Sequence, residues 1–133
     1  MKKNIIILVL MLIANTCFAA KWVNFFEKQY IDFDSLEPTH ETDTISFWIK
    51  RYSDNKEKFM GKRFLFSINK MDISCKNKKA RISETAVYGK KNKLIYNIEE
   101  KSNWDTIIPD TYADGYYRMF CLVPFKENPL LKH

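Results

Sequence analysis

Three cysteines, Cys17, Cys75 and Cys121, are the residues of this 133-residue chain with the most reactive chemistry. A thiol can act as a nucleophile, bind a metal or close a disulfide, and its compartment and neighbours decide which. Cys75 and Cys121 lie 46 positions apart, and no His/Cys cluster at metal-ligand spacing surrounds them. Acid–base candidates are few. His40 stands beside Glu41 in a polar turn and reads as a surface residue, while His133 is too near a free end to be held in place. Asp32 and Asp34 alternate with Tyr30, Ile31 and Phe33, and a turn at the end of a strand accounts for the pair better than proton exchange does. Three glycines form no phosphate-cradling loop. The expectation is a protein without enzymatic activity, cofactor or metal.

The compartment is written at the N-terminus. Lys2 and Lys3 precede an unbroken apolar run from Ile5 to Ala14, and Cys17-Phe18-Ala19 closes it with small residues. This is the pattern of a secretory signal peptide, and the run is too short to span a bilayer. Residues 1–19 are therefore expected to be removed, with the new N-terminus at Ala20 or Lys21. Ala14-Asn15-Thr16 before Cys17 makes a poor lipoprotein signal, so a membrane attachment is expected only if Cys17 is lipidated. In an exported chain the two remaining cysteines usually pair, and closing a loop of this length stabilises by about 4 kcal/mol in the chain-entropy model. The alternative is two buried thiols.

The charges suggest contacts. The net charge of +6 falls by two when Lys2 and Lys3 leave, which still favours acidic partners over basic ones. Between Cys75 and Leu94, Lys76, Lys78, Lys79, Arg81, Lys90, Lys91 and Lys93 face one acid, Glu84. They do not form one groove. The strand that separates the two lysine-rich turns spans about 30 Å at ~3.3 Å per residue, so the turns are two basic tips. Export argues against nucleic acid. Trp48, on the strand face opposite Phe47, is a further candidate for an exposed contact with a protein partner.

Strands must position these residues. Lys21 to Phe26 and Gln29 to Phe33 flank the tight connection Glu27-Lys28. From Thr44 to Tyr52, Ile45, Phe47 and Ile49 alternate with Ser46, Trp48 and Lys50. Ser53 to Lys58 reads as a solvated loop. Lys62 to Ser74 changes hydrophobic phase near Asn69-Lys70, which predicts a β-bulge there. Ala80 to Tyr88 and Lys93 to Ile98 complete six strands, and Glu99 to Asn103 reads as loop. After Pro109, Thr111 is a good N-cap, and Ala113, Tyr116, Tyr117 and Phe120 recur at helical spacing until Pro124. Strands followed by one helix predict an α+β domain, an antiparallel sheet with a helix on one face, over residues 20–123, and residues 124–133 read as a flexible tail.

Taken in order, Trp22-Val23, the stretch Tyr30 to Leu36, Trp48-Ile49, Ser67 with Met71 to Cys75, Arg81-Ile82-Ser83 with Tyr88, Trp104, Ile108 to Thr111 and Cys121 resemble the surface-adhesin protein E family of Gram-negative bacteria. The resemblance implies a curved antiparallel sheet of about six strands, with a C-terminal helix tied to its concave face by a Cys75–Cys121 disulfide. It also implies an exported domain at the periplasm or outer cell surface, adhesion to host extracellular-matrix proteins and a capacity to form homodimers. The alternative within that frame is a periplasmic housekeeping or inhibitor module that binds another protein.

Overall fold

A computed structural model describes residues 20–54 and 56–123. The expected signal peptide and C-terminal tail lie outside the described residues. Among the described residues nine strands form: β1 (Trp22–Phe26), β2 (Gln29–Pro38), β3 (Thr44–Tyr52), β4 (Lys58–Phe59), β5 (Lys62–Arg63), β6 (Phe66–Ser74), β7 (Lys79–Tyr88), β8 (Leu94–Ile98) and β9 (Asp105–Thr106). The main sheet is antiparallel, in the order β1-β2-β3-β6-β7-β8, with β9 added at one end of β7. The helix α1 (Tyr112–Tyr117) continues into a wider π turn over Arg118–Leu122. All six expected strands are present, and the sheet stays open.

Two elements escaped the sequence reading. The expected solvated loop ends in a small hairpin, β4–β5, which turns at Met60-Gly61 with positive φ at both residues. That is the backbone of a type I′ turn, and Met-Gly is a weak signal for it. Asp105–Thr106 was too short to show any alternation.

The bulge expected near Asn69-Lys70 is displaced. β6 pairs with β3 in unbroken register, and the extra residue is Ser83, on the facing strand β7 between Lys70↔Glu84 and Met71↔Ile82. The phase change in β6 has another cause: Phe66 is buried on one face of the sheet and Ile73 on the other.

Ile31, Ile45, Phe47, Ile49, Ile73 and Ala80 line the face that receives Tyr116 and Phe120 from the helix, together with Ile107. A bulge at Phe25 lets two consecutive phenylalanines reach the same layer. Both Phe25 and Phe26 have ring centroids 5.5 Å from that of Tyr116. Gly115 is explained here as well. A Cβ at this position would collide with the Phe26 ring, so the helix accepts a poor helix former for a close approach. The Tyr116 hydroxyl donates to Gln29 Oε1 at 2.7 Å, and burial pushes its pKa up.

The helix start is fixed by charge as well as by packing. Thr111 Oγ1 accepts from the Asp114 N–H at 3.3 Å. Asp114 in turn accepts from the Asp110 N–H and from Arg118 Nε, with Lys78 Nζ 3.9 Å away. Burial alone would raise the Asp114 carboxyl, but these donors outweigh it and hold it below the ordinary carboxylate range. A depressed carboxyl contributes stability that is fully present above the unfolded value of about 3.9 and is lost as pH falls through the folded one. An NMR titration should therefore place the Asp114 midpoint below about 3.9, and Lys78→Met with Arg118→Gln should move it up. An ordinary midpoint that ignores both substitutions would refute the assignment.

Candidate binding face

Alternation along β3 turns Ser46, Trp48, Lys50 and Tyr52 away from the helix, onto the other face of the sheet. Strand register arranges this face in rows. Trp22, Asp32, Trp48, Lys70 and Glu84 make one row across five strands. On one side of it run Tyr30, Lys50, Ile68 and Ala86, then Tyr52, Phe66 and Tyr88. On the other side lie Glu37, Ser46, Asp72 and Arg81. One half of the face is therefore ionic and the other aromatic.

The ionic half is satisfied from within. The Asp72 carboxylate, 4% exposed, accepts from Ser46 Oγ at 2.8 Å, from Ser83 Oγ at 3.3 Å and from Arg81 Nε at 2.8 Å. The bulge delivers Ser83 to this network. Arg81 also reaches Glu41 at 2.6 Å, and its guanidinium lies 4.2 Å from the Trp104 ring centroid. Burial alone would lower the Arg81 pKa, but Glu41 and Asp72 outweigh it and keep the group charged. A cleft of about 450 Å³ opens above, bordered by His40, Lys70, Glu84 and Lys101. His40 makes no hydrogen bond among the described residues. Charges already matched to one another serve the fold first.

Trp48 is half-buried rather than fully exposed, with Lys70 Nζ 5.8 Å from its ring centroid. Lys70 itself is held by Glu37 at 3.3 Å and Glu84 at 3.9 Å. Asp32, between Trp22 and Trp48, has no cation partner among the described residues. Burial pushes its carboxyl up, against partial relief from the Asp34 N–H. In the aromatic half, Lys50 Nζ sits 4.2 Å from the Phe66 centroid, 4.9 Å from Tyr52 and 5.9 Å from Trp22. All three tryptophans of the chain thus lie on this side, each under a cation. Lys50 and Tyr52 escaped notice as site residues, although the alternation that carried Trp48 outward also carries them.

The lysine tips are separate, as the strand length required. Lys76 and Lys79 are exposed at one end of β7, and Lys90, Lys91 and Lys93 at the other, on a single 3-10 turn over Lys90–Asn92. Lys78 differs from its neighbours. Its ammonium serves Asp114 and lies 5.4 Å from the Tyr117 ring centroid, so it holds the helix. Cys75 and Cys121 are bonded, with their Cα atoms 5.4 Å apart, which ties the end of β6 to the π turn.

A family model described as surface-adhesin protein E matches residues 22–122. The chain belongs to the surface-adhesin protein E family. No curated protein matches the sequence. The crystal structure of protein E from non-typeable Haemophilus influenzae aligns with a TM-score of 0.56 at 16% identity, covering 80% of this chain and 79% of that one. The selenomethionine form of Haemophilus influenzae protein E gives 0.56 at 14% identity, with 80% and 90% covered. Identities this low establish the fold alone. Membership of the surface-adhesin protein E family makes the domain an adhesin-like binding module. It also implies an exported or surface location. Among the described residues no helix is long and apolar enough to cross a membrane.

Proposed function

We propose that this protein is exported by cleavage after Ala19 and adheres, without catalysis, to host extracellular-matrix proteins. The contacts are the exposed lysines Lys76, Lys79, Lys90, Lys91 and Lys93, with the Trp48 face between them. The observation that supports this most is the match of the adhesin family over residues 22–122, on a fold whose second sheet face carries no covering helix among the described residues. The lysines at both ends of β7 are solvent-exposed and, unlike Lys78, have no ion-pair partner among the described residues. Lysines free in this way steer an acidic partner without first breaking an internal pair.

Solid-phase binding to matrix proteins tests this with two variants, Lys76→Glu with Lys79→Glu, and Lys90→Glu, Lys91→Glu with Lys93→Glu. Lys78 stays native because it holds the helix. Each variant should weaken binding roughly fivefold at low salt, equivalent to about 1 kcal/mol. The losses should add, because the tips stand about 30 Å apart and the Debye length is about 8 Å at physiological salt. Both should shrink as salt rises. Wild-type binding by both variants at both salts would remove the electrostatic contacts.

A further inference from the structure

We propose that the aromatic half of the open face binds a carboxylated sugar, with Lys50 holding the carboxylate and the rings of Tyr52 and Trp22 as the stacking surface. Lys50 is the exception among the cations on this side of the sheet. Lys70 has Glu37 and Glu84, Arg81 has Asp72 and Glu41, and Lys101 has Glu41 at 3.7 Å. Lys50 has three rings and no carboxylate among the described residues. Rings attract an ammonium through their quadrupole and fix its position, but they leave its charge uncancelled. Its N–H donors likewise have no oxygen acceptor among the described residues. An incoming carboxylate would therefore gain charge-assisted hydrogen bonds without displacing an existing partner.

The surroundings specify the rest of the ligand. Tyr52 is 36% exposed, and Tyr30 meets it edge-on with centroids 5.6 Å apart. Neither tyrosine hydroxyl has a hydrogen-bond partner among the described residues. Phe66 lies buried beneath, stacked on Tyr88 at 4.8 Å, so the platform is backed by packed rings and is rigid. The fitting ligand has an anion on the rim of a flat, C–H-rich ring that carries hydroxyl groups. A uronic-acid type of sugar has all three features. An acidic peptide brings the carboxylate but no such ring, and a neutral sugar brings the ring but no anion. The lysine tips are not part of this platform, so the inference stands apart from adhesion to matrix proteins.

Titration of the purified protein with a galacturonate tetrasaccharide tests it, with the carboxyl-reduced neutral tetrasaccharide and a tetraglutamate peptide as controls. Amide and indole NMR shifts give both affinity and location. The uronate should shift Lys50, Tyr52 and Trp22 and bind at least about tenfold tighter than either control. Lys50→Gln and Tyr52→Ala should each weaken it by about tenfold, Lys50→Arg should retain most of it, and Lys62→Gln, at an exposed position given no binding role, should change nothing. Thermal unfolding of each variant separates a lost site from a lost fold, and the shift map on the native protein decides if Lys50→Gln unfolds. The proposal is overturned by absence of shifts at millimolar ligand, by equal binding of the neutral sugar or the peptide, or by unchanged affinity in a folded Lys50→Gln variant.

Discussion

Reduction of the Cys75–Cys121 bridge should lower stability by about 2–4 kcal/mol, with the helix leaving the sheet before the sheet itself opens. The bridge closes a loop of 46 residues that contains β7, β8 and β9, so its loss returns considerable freedom to the unfolded chain. It also joins two parts of the core that are held in different ways. β6 lies inside a continuous ladder, whereas α1 and its π turn rest on side-chain packing and on the charges around Asp114. Hydrogen exchange in mild urea, with and without reductant, should show protection lost first over 112–122 and later in β3 and β6. Uniform loss across the molecule would show that the bridge supports the whole sheet. Thiol labelling of the unreduced, denatured protein should find neither Cys75 nor Cys121 free.

Asp72→Ala should cost about 3–5 kcal/mol, a loss comparable to deleting a large core side chain. The substitution removes the acceptor for two hydroxyls and strands the Arg81 guanidinium, whose side chain is 10% exposed. Glu41 remains as a partner, but it is far more exposed and cannot replace the second contact. Most of the cost is the penalty of leaving the buried Arg81 Nε and the two serine hydroxyls without their shared acceptor. Asp72→Ala combined with Arg81→Met should therefore be less damaging than Asp72→Ala alone. Urea unfolding with unchanged slopes measures both. A loss below about 1 kcal/mol for the single variant would show that water already screens the pair.

The apolar alternation of β3 and the stripe Ala113, Tyr116, Tyr117 and Phe120 were legible because each repeats the period of its element. Ile45, Phe47 and Ile49 are buried under the helix, as their spacing required, and Thr111 caps it. The bulge expected in β6 is absent there, and the one that exists, at Ser83 on β7, is not what the phase change in β6 reflects. A phase change along one strand is the same signal whether the chain gains a residue or the two sheet faces exchange roles, and only the partner strand separates these cases. The four residues Phe33 to Leu36, set against Phe47 alone, were hidden for a similar reason. Their spacing reflects an irregular crossover in which Ser35 Oγ accepts the Trp48 N–H at 2.9 Å. For the binding face, residue type revealed Trp48 and the lysine tips. It did not separate Lys78 from Lys76 and Lys79, since ion pairing is a property of folded neighbours. Lys50 became conspicuous only through what surrounds it and what is missing beside it.

The contact of β1 with α1 bears on the order in which this molecule can be finished. Phe25, Phe26 and Gln29, near the start of the domain, complete their packing only on Tyr112 and Tyr116, near its end. The first hairpin can form early, but its apolar side stays open until some eighty further residues have been supplied. A polypeptide delivered N-terminus first therefore keeps this apolar side open until Tyr112 and Tyr116 arrive. For threading through a narrow channel this delay is useful, since a chain that cannot close early needs no unfolding to pass. On the far side the same delay is a hazard, and the interval before the helix docks is when a chaperone would find the most to hold.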